Sequence, residues 1–365
     1  APVGPLPGRR CGGFTLVEIM IALTLGLVLL MGVAQMFSGS RVSYRIQDNL
    51  SYMQENGRFA ADVLETALRM ADHWGGVETR VVTASGSVSG DCSSGWAMQA
   101  VGVMGYEGNN TTPLSGCIPA ADYVANSDLV VVRYADPDAA YDYSANATYD
   151  VGENVTYNGV IYRNVTAVST PAAWAAASWE TVNSTFFLRA GPGRRAEVLQ
   201  SSGGGALSYP SDLGTNITAF NYPFRVEAYF VRPCSDQGAN NVCDSTDDGG
   251  SPIPTLTRLY LNQGTLAQEP LIEGVEQLQL TYGVDSDADG TANRYFVASG
   301  VTDWSEVVSV RAGLVVRALE KDANYADTRN LTLPGNFTYA PATSVQAYYR
   351  KVFGKVIQVR NRIRS

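Results

Sequence analysis

Histidine is almost missing from this chain: among 365 residues, His73 is the sole example. That absence removes the imidazole base of a Ser–His or Cys–His dyad, and no HExxH or GxSxG string is present. The scattered Asp and Glu residues then read as solvated charges of an acidic protein, not as a catalytic set. Lysine is scarce as well, with only Lys321, Lys351 and Lys355, and the formal net charge is -9. An acidic surface repels nucleic-acid phosphates at long range, and no basic stripe offsets this, so no nucleic-acid partner is expected. CxxC pairs are lacking, and His73 lies far from the cysteines, which places zinc low. The expectation is a protein that is not an enzyme and requires no cofactor.

What is present begins with size and cysteine. A chain of 365 residues with 45% hydrophobic content supports one or two globular units with a real core. Cys11 stands before the apolar segment, and Cys92, Cys117, Cys234 and Cys243 all follow it. Four cysteines on one side of a membrane suggest two disulfides in an oxidising compartment. Of the three possible pairings, proximity favours Cys92 with Cys117 and Cys234 with Cys243.

Residues 19 to 37, IMIALTLGLVLLMGVAQMF, carry no charge. Such a run spans a bilayer core of about 30 Å as a helix. Arg9 and Arg10 precede it and hold the N-terminus on the cytoplasmic side. A secretory signal would have a shorter apolar region ending in a small-residue cleavage site, and the residues after the twin arginines do not favour Tat export. Beyond the run, Val42, Ile46, Leu50, Met53, Ala60, Leu64 and Leu68 recur at helical spacings, with Arg45, Asp48, Glu55, Arg58, Asp62 and Glu65 between them. This predicts an amphipathic continuation that ends near Gly75-Gly76.

The exceptional residue is Glu18, because a carboxylate at the edge of a membrane helix costs roughly 2.5 kcal/mol or more and usually marks function. The string Gly12-Gly13-Phe14-Thr15-Leu16-Val17-Glu18 closely resembles the type IV prepilin motif. The resemblance implies that a prepilin peptidase cuts between Gly13 and Phe14 and methylates the new N-terminus. It also implies that Glu18 is the glutamate that guides assembly. The physical logic agrees: an amine on Phe14, buried among apolar helices, needs a negative partner, and Glu18 of a neighbouring subunit supplies one. The sequence does not open with methionine, so the leader is expected to be incomplete at that end.

From residue 77 onward, short alternating runs separated by turn residues predict an antiparallel β-rich domain. The runs are 129–134, 186–189, 226–232, 256–261, 278–284, 307–316 and 352–360. With the helix this makes an α+β fold. The segments SYMQENGRFA (51–60), SDLVVVRYADP (127–137), RPCSDQGANNVCDSTDDGGSPIPTLTR (232–258), EGVEQLQLTYGVDSDADG (273–290) and YRKVFGKVIQVRNR (349–362) resemble the PilW family of minor pilins. That resemblance implies a structural subunit that primes or caps a type IV pilus. Its implied partners are other major and minor pilins, the prepilin peptidase, an inner-membrane assembly platform and a tip adhesin. The implied location is the bacterial inner membrane with a periplasmic domain, then the pilus tip. The alternative is a minor pseudopilin of a type II secretion system, although the large pseudopilin usually lacks the glutamate and the small ones are much shorter.

The reading divides the chain into a leader (1–13), a transmembrane helix (14–37), an amphipathic helix (38–74) and a β-rich domain (77–365). Two local features stand inside the last. Asp285, Asp287 and Asp289, followed by Gly290 and with Asn293 at the ninth position, match the first half of a calcium loop. Position twelve is Phe296, and Asp303 or Glu306 would have to supply the missing carboxylate; the alternative is an acidic hairpin turn. The second feature lies between VVVRYADP (130–137) and TFFLRAG (185–191), which read as neighbouring strands. The intervening residues 147–182 resemble a family 5/12 carbohydrate-binding module through Tyr149, Gly152, Val155, Tyr157, Gly159, Val160, Tyr162, Pro171, Trp174 and Trp179. That implies a polysaccharide partner stacked on Trp174, Trp179 or Tyr162. The alternative is that these aromatics form the mini-core of an inserted unit.

Overall fold

A 55-residue helix, α1 (Leu16–Met70), is the longest element of the computed structural model. The model describes residues 13, 15–77, 82–84, 92, 94–138, 140–158, 160–182, 186–191, 195–200, 220–262 and 265–362. The chain divides into two units, Ala1–Ser51 and Tyr52–Ser365. In the first, the apolar side chains of α1 are exposed on all sides, from Leu16 and Ile19 through Leu30 to Phe37. A helix that is apolar all round, with its backbone bonds satisfied internally, suits a bilayer. This stretch is long and apolar enough to cross one.

In the second unit the amphipathic pattern explains the packing. Met53, Ala60, Leu64, Leu68 and Ala71 are buried in one core. Gly57 sits on the same face, and a Cβ there would come within 2.2 Å of the Phe353 ring, so the helix tolerates glycine in exchange for close approach. α1 stops at Met70, short of the expected Gly75-Gly76, because Asp72 adopts a left-handed conformation with φ 65°. The orphan carbonyls of Arg69, Met70 and Ala71 accept from Asn361 Nδ2, near the far end of the chain. Arg362 pairs with the Asp72 carboxylate at 2.7 Å and fastens the same corner.

Eighteen strands follow among the described residues. They are β1 (Val82–Ala84), β2 (Val103–Tyr106), β3 (Leu129–Ala135), β4 (Ala140–Asp142), β5 (Asn154–Tyr157) and β6 (Val160–Asn164). Next come β7 (Trp179–Thr181), β8 (Phe186–Gly191), β9 (Arg195–Gln200), β10 (Phe220–Arg232), β11 (Thr255–Asn262) and β12 (Thr265–Glu273). The last six are β13 (Val275–Val284), β14 (Arg294–Phe296), β15 (Val307–Arg317), β16 (Leu331–Leu333), β17 (Phe337–Tyr339) and β18 (Arg350–Gln358). Twelve of them, β1 to β12, join one sheet around β10; β14-β13-β15-β18 form a second sheet, and β16 and β17 a ribbon. Pairing is antiparallel except for β1 with β9 and β4 with β5. The α+β expectation holds, and each predicted run falls within a strand apart from the last, where β18 ends at Gln358.

One expectation is corrected. The strands at 130–137 and 185–191 are not hydrogen-bonded neighbours. β3 pairs with residues 224–229 of β10 and β8 with residues 220–223. β10 is thirteen residues long, which lets it serve both.

The turn before β3 stitches the two sheets together. Asp128 N donates to Leu278 O, and the Asp128 carboxylate accepts from Leu280 N at 2.7 Å and Gly108 N at 2.8 Å. Burial pushes this carboxyl up to about 6, the nearby Glu107 charge adds to the rise, and the two N–H donors oppose it. The Tyr123 and Tyr282 phenols also face it. An acid with a raised native pKa is held more tightly by the folded state, so its contribution to stability falls as pH rises from about 4 to about 6. Urea unfolding at pH 4, 5, 6 and 7 is therefore expected to show the wild-type advantage over Asp128→Asn shrinking across that window. A flat difference would place the titration elsewhere.

Candidate functional site

The N-terminal junction is built from very few residues. Gly13 is exposed, and a Cβ placed on it meets nothing within 4 Å. No contact among the described residues demands glycine there. Phe14, which follows it, lies outside the described residues, as do Arg9, Arg10 and Cys11.

Glu18 has a role that the sequence reading missed. Its Oε2 accepts from Thr15 N at 3.0 Å and from Thr15 Oγ1 at 3.1 Å, while Thr15 Oγ1 accepts from Glu18 N at 3.3 Å. Thr15 is thus the N-cap and Glu18 the third helical residue of a reciprocal capping box. The Thr-x-x-Glu spacing carries this signal openly. One carboxylate oxygen starts the helix, and the other, Oε1, accepts nothing among the described residues. A negative charge near the helix N-terminus is also favoured by the macrodipole. The same side chain therefore organises the first turn through one of its two oxygens.

Both disulfides form as proximity suggested. Cys92–Cys117 has a Cα–Cα separation of 5.8 Å and Cys234–Cys243 one of 5.6 Å. The second lies beside Asp247, but two sulfurs bonded to each other offer no thiolates to a metal.

The 285–290 turn gathers its acids. Asp285, Asp287 and Asp289 bring carboxylate oxygens within 4.8 Å of one another. Asp285 accepts from Asp289 N at 3.2 Å and Gly290 N at 2.8 Å, which draws the loop around its first residue. Asn293 Oδ1 is engaged internally by Ser286 N at 2.7 Å. Asp303 caps a short 3-10 turn through Ser305 N, and the Glu306 backbone carbonyl accepts from Asp285 N. The three aspartates fit the first half of a cation loop. The Asn293 oxygen is already committed to Ser286.

The insert's aromatics are brought together, and this corrects the expectation for Trp179. That side chain is buried with Tyr149 and Val155 in a small core of its own. Trp174 is half-buried, stacked on Tyr157 at 4.1 Å and on Trp179 at 5.1 Å, with Tyr143 and Tyr162 edge-on. Aromatic pairs favour both geometries, and side chains that satisfy one another this way act as a core. Burial removes Trp179 as a platform for sugar. Neighbouring aromatics already take ring surface of Trp174 and an edge contact of Tyr162.

Two matches to known families accompany this geometry. Residues 8–34 match the prokaryotic N-terminal methylation motif, and residues 229–361 match the type IV pilus-assembly protein W family. No curated protein and no solved structure matches the chain.

Proposed function

From a PilW-like type IV pilin as premise, we propose a minor subunit that primes or caps pilus assembly, acting by packing and not by catalysis. The observation that carries this reading is the junction. An unconstrained Gly13 is followed by a capped, wholly exposed apolar helix whose Glu18 keeps one oxygen open. In this reading the prepilin peptidase cuts after Gly13 and methylates Phe14. The methylated amine of one subunit then meets Glu18 of another inside the helix bundle. The size of the chain favours a minor subunit over a major one. Its partners are the other pilins, the inner-membrane assembly platform and a tip adhesin, and its place is the inner membrane before assembly and the pilus tip afterwards. An in-frame deletion tests this. Loss of surface pili and twitching supports it. Loss of exoenzyme secretion with pili intact supports a pseudopilin instead.

Calcium at Asp285, Asp287 and Asp289 is proposed as a stabilising ligand, with no part in catalysis. The donor chemistry is hard oxygen, which suits that ion. Calcium at about a hundredfold excess over Kd is expected to add roughly 2.7 kcal/mol to folding stability, read as a rise in melting temperature. Asp287→Ala should abolish the rise, and no calcium-dependent shift in the wild type would retire the ligand.

A further inference from the structure

A long sheet edge is a liability that folds manage by shortening it, kinking it with proline or a bulge, or covering it. Most edges of this molecule are managed in that way. Among the described residues, the edge strands β1, β7 and β14 are three residues each and β2 is four. The edge strand β12 has nine residues, but it carries Pro270, and its register with β11 shifts beside that proline. β18 differs. Its nine residues pair with β15 in an unbroken register, it contains no proline, and no described strand lies on its other side.

The hydrogen bonds at the two ends of β18 show which of its backbone groups are free. Val359 N donates to Val308 O and Ala318 N to Tyr349 O, both at 2.9 Å, and these pairs bracket the ladder. In an antiparallel pair, hydrogen-bonded positions alternate with positions whose N–H and C=O point away. Odd-numbered residues of β18 therefore bond β15, and even-numbered residues face outward. Arg350 O is taken by Arg329 Nη2 at 2.9 Å. Among the described residues, nothing meets the outward backbone groups of Val352, Gly354, Val356 and Gln358. Val356 is 60% exposed, and a Cβ built on Gly354 meets only Ala312 O, at 3.9 Å. The charge beside this edge is uncompensated as well. Lys351, Arg311 and Arg360 are exposed and pair with no carboxylate among the described residues, whereas Arg350, Lys355 and Arg362 are each neutralised within the fold. Arg311 stands directly across from Val356 in the ladder. The open edge is thus positive in a chain whose net charge is -9.

We propose that β18 accepts an extended, acidic segment of a different protein chain as an added strand. This goes beyond the pilin reading, because it concerns the β domain alone. The outward N–H and C=O groups of the four even-numbered residues set the partner's form, since an extended backbone repeats its donors and acceptors at the same period. The three uncompensated cations set its charge, because complementary potentials orient a partner and reject wrong ones. They also disfavour a second copy of this chain. Two β18 strands side by side would oppose like charges, and the β12 edge is closed by Pro270.

A benzophenone amino acid placed in the full chain at position 354 or at position 358, in the cells that make it, tests this directly. Irradiation is expected to join both positions to one acidic segment of a single partner, read by mass spectrometry. Four residues of strand cover roughly 14 Å, so the two joined residues should lie about four apart in an added strand and about nine apart in a helix. Val356→Pro removes an outward N–H and leaves every bond to β15 in place, so it should lower both yields about fivefold or more. Lys351→Glu combined with Arg360→Glu should lower them as well without touching the β18 backbone, and it decides alone if Val356→Pro does not accumulate. The same amino acid at Val151, 64% exposed and far from β18 in the sheet order, is the control and should not give the adduct. A yield no higher than at position 151 overturns the proposal, as do a spacing near that of a helix and full yield in the variants. Joined residues in lipid, in a second copy of this chain or in a segment without an excess of Asp and Glu overturn it too. None of these outcomes touches the pilin reading, which the deletion decides separately.

Discussion

Glu18→Val is expected to give a chain that is still cut after Gly13 yet is almost absent from sheared pili. In the proposed bundle of apolar helices, a methylated Phe14 amine would have no water to solvate it. Removing one partner of a buried ion pair leaves the other charge uncompensated, at about 3–5 kcal/mol. At about 1.4 kcal/mol per tenfold, incorporation should fall by two to three orders of magnitude. The substitution also removes the half of the capping box in which Glu18 accepts from Thr15 N and Thr15 Oγ1. Thr15→Ala separates the two effects: it deletes the hydroxyl's bonds in the cap and keeps the carboxylate, so pilus incorporation should stay close to wild type. Gly13→Ala should stop earlier, as an uncut precursor. Immunoblots of membrane and sheared fractions, with mass spectrometry of the mature N-terminus, distinguish these outcomes. A mature end other than methylated Phe14, or wild-type incorporation of Glu18→Val, would sink the assignment.

Glu276→Gln is expected to be the most damaging single change in the β domain. Glu276, Arg317 and Arg350 are all at least 95% buried. Arg350 holds Glu276 through two nitrogens, at 2.5 and 2.9 Å, and Arg317 approaches at 3.5 Å. The Tyr339 hydroxyl donates to the same carboxylate at 2.8 Å. One side chain therefore ties β13, β15, β17 and β18 together. Glutamine keeps the shape and one acceptor but leaves two guanidinium groups buried beside a neutral amide. The expected loss is about 3–5 kcal/mol, a large part of the stability of an ordinary domain. Asp327 offsets little of this, because it already takes two hydrogen bonds from the Arg329 guanidinium and stands 3.9 Å from Arg350. Chemical unfolding checks the figure, and a shift below 1 kcal/mol would mean that the network relaxes around the amide.

Much of this molecule is legible in one dimension because its strongest signals are local. An uncharged run of 19 residues is long enough to cross a bilayer as a helix, and the Gly13-to-Glu18 string needs no neighbours to be read. Period-2 runs marked the main strands, since alternation reflects a half-buried pleat. The short spacings between cysteines in each pair, 25 and 9 residues, made the nearest pairing the correct one. The Thr15–Glu18 cap is equally local, since both partners lie within one helical turn.

Tertiary structure decided what depends on partners far away in sequence. α1 stops at Met70, not at the glycines, because Asn361 and Arg362 return from the end of the chain to take its last carbonyls and Asp72. β10 lies between β3 and β8, an order that no spacing encodes, because strand neighbours are set by which edges close a sheet. The aromatics of residues 147–182 share one pattern whether they stack on sugar or on each other, and only folding placed Trp179 inside.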